Sequence, residues 1–569
     1  MKQKFFAMFA AAVLLLGMTG CSKDDNSSSI DINAMEKDLI GMWVDEFEYS
    51  DVTESGVPFD RVLLAIQANA DHTGCIYLGV FDDTHKEPLE VYGGPEDAGF
   101  RWQLLKDGNV QLSDPKSGER TVLTRGDSGS SYGDDMTNVS GTNMTYTGGN
   151  ITLTNDIFSG ILIRADVEEA AEILKRLVIE KHTDLSMVDC AGNARNSHWT
   201  ANCYMVHKAG YYKLPLVYGN AIKNGETNAE AYTGVESAHT TLTFPRHDGN
   251  AITAPWIKDN GITVATAELL WQDAKGLVTA VGIEGDYMLL TVGKDAATQE
   301  GNALVAAKDG DGNIVWSWHI WVTKQTFAAA DLATVITGGK DKYNYELKRA
   351  IYKLTPVNVG WVGERVSRGY NTYYQWGRKD PFFPTTGTGN TDHPVYNINN
   401  EAVTGLTCST SAATIADNIK NPTTWYKFEK KPNTSTAYNL WDAQQTSNDD
   451  ELDTPTKKTV YDPCPPGFCL PSTYLYFYFQ LSAIVRASTS WDGTYRGRIL
   501  SSPDVFYPAS GCRSLWDARP SEVGGAGYYW SSTAYNGDQG RFLFFSSSSW
   551  QRNTRERAIA YSVRAVAEE

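Results

Sequence analysis

Three short segments near the carboxyl end place a tryptophan beside polar side chains that could orient a ligand. They are Trp491-Asp492-Gly493, Trp516-Asp517-Ala518-Arg519 and Trp550-Gln551-Arg552-Asn553. Sugars stack on exposed indole rings, while carboxylate and guanidinium groups hydrogen-bond their hydroxyls. The candidate ligand-binding residues are therefore Trp491, Asp492, Trp516, Asp517, Arg519, Trp550 and Arg552. In the alternative interpretation, two of the three tryptophans fill the interior of a loop-rich domain.

Two common sequence motifs for catalysis are absent. The chain has no H-E-x-x-H and no G-x-x-x-x-G-K-[ST], and its nine histidines are scattered. A carboxylate pair for glycoside hydrolysis stays open in principle, but Asp449-Asp450-Glu451 lies in a polar stretch typical of solvated side chains. The segment 309–313 lacks the glycine and distal glutamate of a calcium loop and predicts a plain turn. We expect no enzymatic activity, no cofactor and no metal ion.

The amino terminus has the pattern of a secretory signal over residues 1–20. Lys2 and Lys4 precede an apolar run over residues 5–16, and Gly20 stands directly before Cys21. The run is too short for a comfortable membrane span.

This junction resembles the lipobox of bacterial lipoproteins, with Met18 where that family usually has leucine. The resemblance implies that Cys21 is lipidated and anchors the chain in the outer membrane. Ser22-Lys23-Asp24-Asp25 resembles the surface-export signal of Bacteroidetes lipoproteins. The alternatives are an ordinary signal peptide with an incidental cysteine, and a plain flexible linker over residues 21–36.

The eight cysteines include Cys21, so seven remain for other roles. Export permits disulfides, but an odd number leaves at least one free or intermolecular thiol. The nearest pairs in sequence are Cys190 with Cys203 and Cys464 with Cys469. Neither pair has the second Cys or His pair of a zinc site.

Composition limits the class of protein. A length of 569 residues predicts about three or four domains. The 16 Trp and 30 Tyr residues favour β-rich folds. A net charge of -18 and a pI near 5.0 argue against nucleic acid or anionic lipid as a partner.

The elements that must position these residues form three predicted domains. Residues 37–183 carry short strand-like runs separated by turns, which predicts a small barrel or sandwich, followed by a helix over residues 166–178. The predicted strands are 62–67, 75–80, 100–105, 110–112, 120–123 and 151–153. Leu39, Gly41 and Trp43 resemble the opening of lipocalin-like domains, with Trp43 expected as a core residue.

Residues 184–335 again alternate polar and apolar side chains. The runs 302–307 and 314–322 flank a Gly/Asp turn and predict a hairpin. In the second run Ile314, Trp316, Trp318, Ile320 and Val322 share one face and predict the core of an immunoglobulin-like β-sandwich. His319 lies on the opposite face, where we expect it to face solvent or to be hydrogen-bonded.

Residues 336–569 predict a loop-rich α+β domain. Prolines at positions 463, 465, 466 and 471 fix φ and predict a rigid loop. Aromatic runs at 474–479 and 541–545 alternate with Gly- and Ser-rich stretches, and residues 561–566 have the alternation of a final strand.

Several motifs carry a family resemblance. Residues 200–206 (TANCYMV), 212–225 (YKLPLVYGNAIKNG), 269–276 (LLWQDAKG), 301–323 and 373–382 (YYQWGRKDPF) resemble the fimbrillin-like, pilus-tip surface lipoproteins of Bacteroidetes. Residues 461–472 (YDPCPPGFCLPS), 527–533 (GYYWSST) and 561–566 (YSVRAV) resemble the Fibrobacter succinogenes major paralogous domain, which is similar in fold to C-type-lectin-like modules.

The chain departs from that family at two positions. Cys469 stands where a basic residue is common, and Ala565 stands where a cysteine is common. By the resemblance, Cys464 loses its usual partner in the final strand, which leaves Cys469 or Cys512 as its replacement. The relatives that generate formylglycine need a reactive cysteine pair, and Cys512 alone does not supply it.

The resemblance implies a mainly β, multidomain protein that acts in cell adhesion at the cell surface. The expected organisation is a lipocalin-like barrel, an immunoglobulin-like sandwich and a C-type-lectin-like domain. Expected partners are the outer membrane through the lipid, pilin subunits, and a glycan or a host or bacterial surface protein. The alternatives are a glycan-binding lipoprotein of a polysaccharide-uptake system and, less favoured, a formylglycine-generating-like or glycan-processing enzyme.

Overall fold

The structure is a computed structural model. It describes residues 41–48, 61–68, 72–81, 90–93, 99–104, 110–113, 120–123, 143–147, 150–154, 159–164 and 182–568, the last range without 235–242, 342, 344, 410–412, 428–436, 448–454, 483–484, 486–488 and 502–503. The chain is mainly β and divides into two compact units, Met1–Lys181 and His182–Glu569. The signal peptide, Cys21 and the predicted helix 166–178 lie outside the described residues.

The described part of the first unit is one ten-stranded antiparallel sheet. Its strands are β1 (Gly41–Glu48), β2 (Arg61–Ala68), β3 (Thr73–Phe81), β4 (Glu90–Gly93), β5 (Gly99–Leu104), β6 (Val110–Ser113), β7 (Arg120–Leu123), β8 (Asn143–Thr147), β9 (Asn150–Thr154) and β10 (Ser159–Arg164). The order is β7-β6-β5-β3-β2-β1-β10-β9-β8, with β4 beside β3. The six predicted strands are confirmed as β2, β3, β5, β6, β7 and β9. The side chain of Trp43 is outside the described part.

The second unit begins with two four-stranded sheets, ordered β11-β13-β18-β17 and β12-β20-β19-β16. The strands of these sheets are β11 (Thr183–Asp184), β12 (Cys203–Val206), β13 (Gly210–Pro215), β16 (Val264–Gln272), β17 (Val278–Glu284), β18 (Tyr287–Val292), β19 (Gly301–Asp309) and β20 (Ile314–Val322). Strands β14 (Ile222–Lys223) and β15 (Glu226–Thr227) form a separate two-stranded sheet. Short 3₁₀ turns occupy Leu185–Met187, Ala229–Ala231, Lys258–Asn260 and Ala329–Asp331. The predicted hairpin is confirmed, since β19 and β20 pair antiparallel.

The remainder of the second unit is built from short strands in five further groups. The strands are β21 (Ala333–Ile336), β22 (Ile351–Leu354), β23 (Tyr374–Gln375), β24 (Thr407–Ser409), β25 (Thr424–Tyr426), β26 (Phe468–Cys469), β27 (Thr489–Asp492), β28 (Gly497–Ser501), β29 (Asp504–Pro508), β30 (Cys512–Arg513), β31 (Pro520–Ser521), β32 (Ala526–Ala534), β33 (Gln539–Ser546), β34 (Trp550–Glu556), β35 (Ala560–Tyr561) and β36 (Val566–Ala567). The helices are α1 (Ile415–Lys420) and α2 (Thr473–Leu481). The aromatic run 541–545 lies in β33, whereas 474–479 lies in α2.

Both faces of strand β20 are buried. Trp316, Trp318 and Ile320 belong to a core cluster that also contains residues of the neighbouring sheet. On the opposite face His319 is only 1% exposed, and Ser317 is fully buried. The expectation that this face could meet solvent is wrong, because residues after 335 cover it, and His319 is hydrogen-bonded instead.

The predicted domains 184–335 and 336–569 therefore share an interior. The Trp321 indole donates to the Trp361 carbonyl at 3.0 Å, and Trp316 stacks on Tyr461 with ring centroids 6.2 Å apart. The Asn202 amide donates to the Val460 carbonyl at 2.7 Å. The predicted boundary at 335/336 thus falls inside one compact unit, whereas the boundary at 183/184 lies close to the division between units.

A buried lysine organises the proline-rich loop 461–472. The Lys458 ammonium donates to the carbonyls of Cys464, Pro465 and Phe468 at 2.7–2.9 Å. The Asp462 carboxylate lies 3.9 Å from that ammonium and accepts the Cys464 amide at 2.7 Å. Prolines alone would leave these carbonyls unsatisfied in the interior, so the lysine supplies the missing donors.

Candidate functional site

The loop around Trp516 is closed by its own hydrogen bonds. It connects β30 to β31, and the Ser514 amide donates to the Arg519 carbonyl at 2.9 Å. The Ala518 amide donates to the Ser514 carbonyl at 3.0 Å, and the Trp516 amide to the Ser514 hydroxyl at 3.2 Å. Such a short loop has few conformations to lose when a ligand binds.

Arg513 anchors this loop to the protein interior. Its guanidinium is 1% exposed and donates to the carbonyls of Phe383 (2.9 Å), Ala518 (2.8 Å) and Pro384 (3.2 Å). It also pairs with the Asp392 carboxylate at 2.5 Å. The guanidinium has five donors in a fixed fork and bonds four acceptors here, whereas an ammonium has only three donors.

Ala518 has a left-handed backbone with φ of 63°. This conformation costs a non-glycine residue about 1–2 kcal/mol. Ala518 is nevertheless 5% exposed and packs in a cluster with Tyr373, Phe382 and Trp425. Local strain held by surrounding contacts is a feature of ligand-contacting loops.

The side chains at the tip of the loop face solvent. Trp516 is 54% exposed, more than any other tryptophan among the described residues. Arg519 and Asp517 flank it and form an exposed ion pair at 3.5 Å. An exposed pair of this kind contributes little to stability, so both groups stay accessible to a ligand. The loop thus presents a flat apolar ring beside one donor group and one acceptor group.

The other two candidate tryptophans pack inward. Trp550 stacks on Phe545 with centroids 5.4 Å apart, and its indole nitrogen is buried. Trp491 is half-buried against the same aromatic cluster. Arg498, the cross-strand partner of Trp491, lies 5.8 Å from the Trp550 ring.

The polar residues beside these two tryptophans have structural contacts as well. The Asp492 carboxylate accepts the amides of Thr494 and Tyr495 at 2.8 Å and so closes a turn. The Arg552 guanidinium lies 4.8 Å from the centre of the Phe477 ring. The 491 and 550 segments therefore pack against one hydrophobic cluster. The Trp516 loop packs, through Ala518, against a different cluster.

The cysteines are thiols in the described part of the chain. None of Cys75, Cys190, Cys203, Cys408, Cys464, Cys469 and Cys512 is joined in a disulfide. Cys190 donates to the Pro466 carbonyl at 3.4 Å. Burial raises the pKa of Cys190 and of Cys512 to about 12 and that of Cys203, Cys464 and Cys469 well above the usual value. Such thiols are poor nucleophiles at neutral pH. Their pairing stays a prediction.

Two buried polar clusters contain groups that catalyse reactions in other settings. The Lys379 ammonium donates to the Ser317 hydroxyl at 2.6 Å and to the Asp380 carboxylate at 2.7 Å, with all three side chains buried. In the second cluster, His319 lies 2.9 Å from the Asn302 amide oxygen, and the Asn302 amide donates to Asp273 at 2.8 Å. These clusters join the two halves of the unit and have no solvent contact through which a substrate could reach them. Sequence reasoning missed both.

Within the described residues, no group of three or more His, Cys, Asp or Glu side chains is placed to hold a metal ion. The segment 309–313 is a turn closed by the Asp309 carboxylate, which accepts the Asn313 amide at 2.8 Å. Among the described helices, none has the length and apolar character needed to cross a bilayer. Comparison of the chain with known protein families, with curated proteins and with solved structures gives no match.

Proposed function

We propose that the protein is a surface-exposed outer-membrane lipoprotein that acts in cell adhesion, as a fimbrial or pilus-tip subunit. The observation that carries this proposal is the Trp516 loop. Its exposed indole lies near the side chains of Asp517 and Arg519, and Arg513 anchors its backbone to the protein interior. A rigid loop that presents an aromatic ring suits recognition of a glycan or a surface protein.

The proposal includes the nature of the domains. The first unit would be a lipocalin-like module, residues 184–335 an immunoglobulin-like sandwich, and residues 336–569 a C-type-lectin-like module. Support comes from the antiparallel sheet of the first unit, the two four-stranded sheets that share a core, and the loop-rich terminal part. The motifs YDPCPPGFCLPS and GYYWSST support the last assignment.

The binding experiment uses the full chain on a glycan array and on intact host and bacterial cells. Trp516→Ala is expected to weaken binding about tenfold, because it removes the stacking ring. Tyr495→Ala is the matched control, since Tyr495 is another exposed aromatic side chain in a turn (40% exposed). Equal binding by wild type and Trp516→Ala would contradict the proposed site. Binding confined to soluble oligosaccharides would favour the polysaccharide-uptake alternative.

The anchor is tested separately. Cys21→Ala removes the acyl acceptor, so the chain is expected to leave the membrane fraction and appear in the medium or periplasm. The motifs before and after Cys21 support this outcome. Retention of the variant on membranes would contradict lipid anchoring, and it would leave the binding experiment unaffected.

A further inference from the structure

The hairpin formed by β21, β22 and the loop between them concentrates exposed apolar side chains. Eight large apolar residues of the described chain are exposed, and four of them lie in this hairpin. They are Ile336 (51%), Tyr343 (67%), Tyr345 (72%) and Ile351 (49%). We call residues 333–354 the basic hairpin, because they contain more Lys and Arg than acidic residues. A cluster of this kind on a protein surface marks an interaction site more often than isolated exposed residues do.

The exposed residues of the two strands lie on one face. Ile336 is the cross-strand partner of Ile351, and Thr334 is the partner of Lys353. Directly opposed residues of an antiparallel pair point to the same side of the sheet. All four are exposed, whereas Val335 (4%), Tyr352 and Leu354 at the alternate positions are buried. The outer face of the hairpin is therefore a continuous surface.

Asp341 holds the backbone of two tyrosines near the tip of the basic hairpin. The Asp341 carboxylate accepts the backbone amides of Tyr343 and Tyr345, both at 2.8 Å. The Asp341 amide in turn donates to the Tyr345 carbonyl at 2.9 Å. These bonds restrict the backbone at the two tyrosines, which reduces the entropy they lose on binding.

The charge of the hairpin is opposite to that of the molecule. Residues 336–353 contain five Lys and Arg residues against two acids, whereas the whole chain carries a net charge of -18. Lys340, Lys348, Arg349 and Lys353 are exposed. The remainder of the chain is consequently more acidic than the total, and an acidic surface of another molecule would be attracted to this hairpin.

We propose that the basic hairpin docks onto an acidic surface of a second copy of this chain. Tyrosine, arginine and exposed isoleucine form the apolar centre and charged rim typical of protein–protein contacts. An acidic polysaccharide would satisfy the cations but leave the Ile336 and Ile351 pair uncovered. Because the chain is acidic outside the hairpin, a second copy can supply the complementary charge. This inference goes beyond the proposed function, since it holds whether or not Trp516 binds a glycan.

The contact does not join one hairpin to another, because their lysines and arginines would face each other and repel. The hairpin of one copy instead contacts a different surface of the next copy. A reciprocal contact of this kind gives a two-fold dimer, and a head-to-tail contact gives a ring or an open chain of copies.

The test is sedimentation velocity of the full chain in mild detergent over a range of concentrations. Wild type is expected to self-associate at about 0.05 M salt and to dissociate at about 0.5 M, where charges are screened. Lys348→Glu with Arg349→Glu is expected to weaken the association about tenfold or more. Tyr345→Ser with Ile351→Thr tests the apolar part independently and is expected to weaken it to a similar degree.

The matched control is Lys208→Glu with Lys294→Glu, which changes the net charge equally at exposed positions outside the hairpin. This control is expected to associate like wild type. A wild-type chain that stays monomeric at low salt, or hairpin variants that associate as well as wild type, would overturn the proposal. Trp516→Ala is expected to self-associate normally, so failure of the ligand-binding proposal remains distinguishable.

Discussion

At the level of single residues, the interior of the second unit contains the charged group of Lys379, which buried partners stabilise. Lys379 lies 4.4 Å from the centre of the Trp316 ring and pairs with Asp380 and Ser317. Burial lowers the pKa of Lys379 to about 8. Removing one member of a buried pair leaves an uncompensated charge, which is costly.

We therefore predict that Lys379→Met destabilises the protein by about 3–5 kcal/mol, because the Asp380 carboxylate stays buried without its cation. The double variant Lys379→Met with Asp380→Asn is expected to be more stable than the sum of the two single losses predicts. Denaturant unfolding of the three variants measures this coupling. Strict additivity would contradict a direct interaction between the two side chains.

His319 gives the fold a dependence on pH. Burial lowers its pKa from 6.5 to about 3, so the unfolded chain binds a proton that the folded chain excludes. The corresponding stability is complete above the unfolded pKa and is lost as the pH falls toward the folded pKa. Burial also lowers the pKa of His247 and His393, whereas it raises that of Asp273 to about 7, an effect of opposite sign.

We predict that His319→Gln reduces the loss of stability between pH 7.5 and pH 5 by about 2 kcal/mol. The amide keeps a donor for the Asn302 oxygen but does not titrate. The measurement is urea unfolding of both proteins at the two pH values. The quantity compared between the proteins is the change in the free energy of unfolding from pH 7.5 to pH 5, and not its absolute value. The same pH dependence in variant and wild type would contradict this role of His319.

At the level of elements, sequence patterns predicted strands better than they predicted what covers them. The alternation from Ile314 to Val322 fixed the strand and its apolar face. It could not show that Ser317 contacts Asp380 or that His319 contacts Tyr374. The pattern shows which positions are polar, but it does not show which residue each polar side chain hydrogen-bonds. The same limit applies to the Trp516 loop, whose anchor Arg513 has acceptors about 130 positions away in the chain.

We predict that Arg513→Lys loosens the Trp516 loop while the fold persists. An ammonium cannot satisfy the acceptors now bonded to the guanidinium, so a loss of about 2–3 kcal/mol is expected. Hydrogen exchange at the amides of Trp516 and Ala518 should accelerate, and ligand binding should weaken. Arg498→Lys is the control, since Arg498 donates to the Ser546 and Ser547 carbonyls beside Trp550. Unchanged exchange in Arg513→Lys would contradict the anchoring role.

At the level of the whole molecule, the division between the two compact units lies within a few residues of the predicted boundary at 183/184, and the predicted boundary at 335/336 lies inside the second unit. Motifs, on which the predicted boundaries rest, mark local similarity and not the contacts between segments. Leu304, on the outer face of β19, is fully buried in a cluster with Phe383 and Val395. Segments on either side of residue 335 thus complete one another's interior, and neither has a closed core alone.

We accordingly predict that residues 336–569 do not fold when expressed without residues 182–335. Separation would remove β16 and β20, which cover this segment, and would leave Lys379 without Ser317 and Tyr374 without His319. The isolated segment is expected to aggregate or to lack near-ultraviolet circular dichroism, whereas residues 182–569 are expected to unfold in one transition. A native-like spectrum and cooperative unfolding of residues 336–569 alone would contradict this prediction. Because the Trp516 loop and the two four-stranded sheets depend on one interior, a ligand at Trp516 is expected to raise the unfolding temperature of the whole unit.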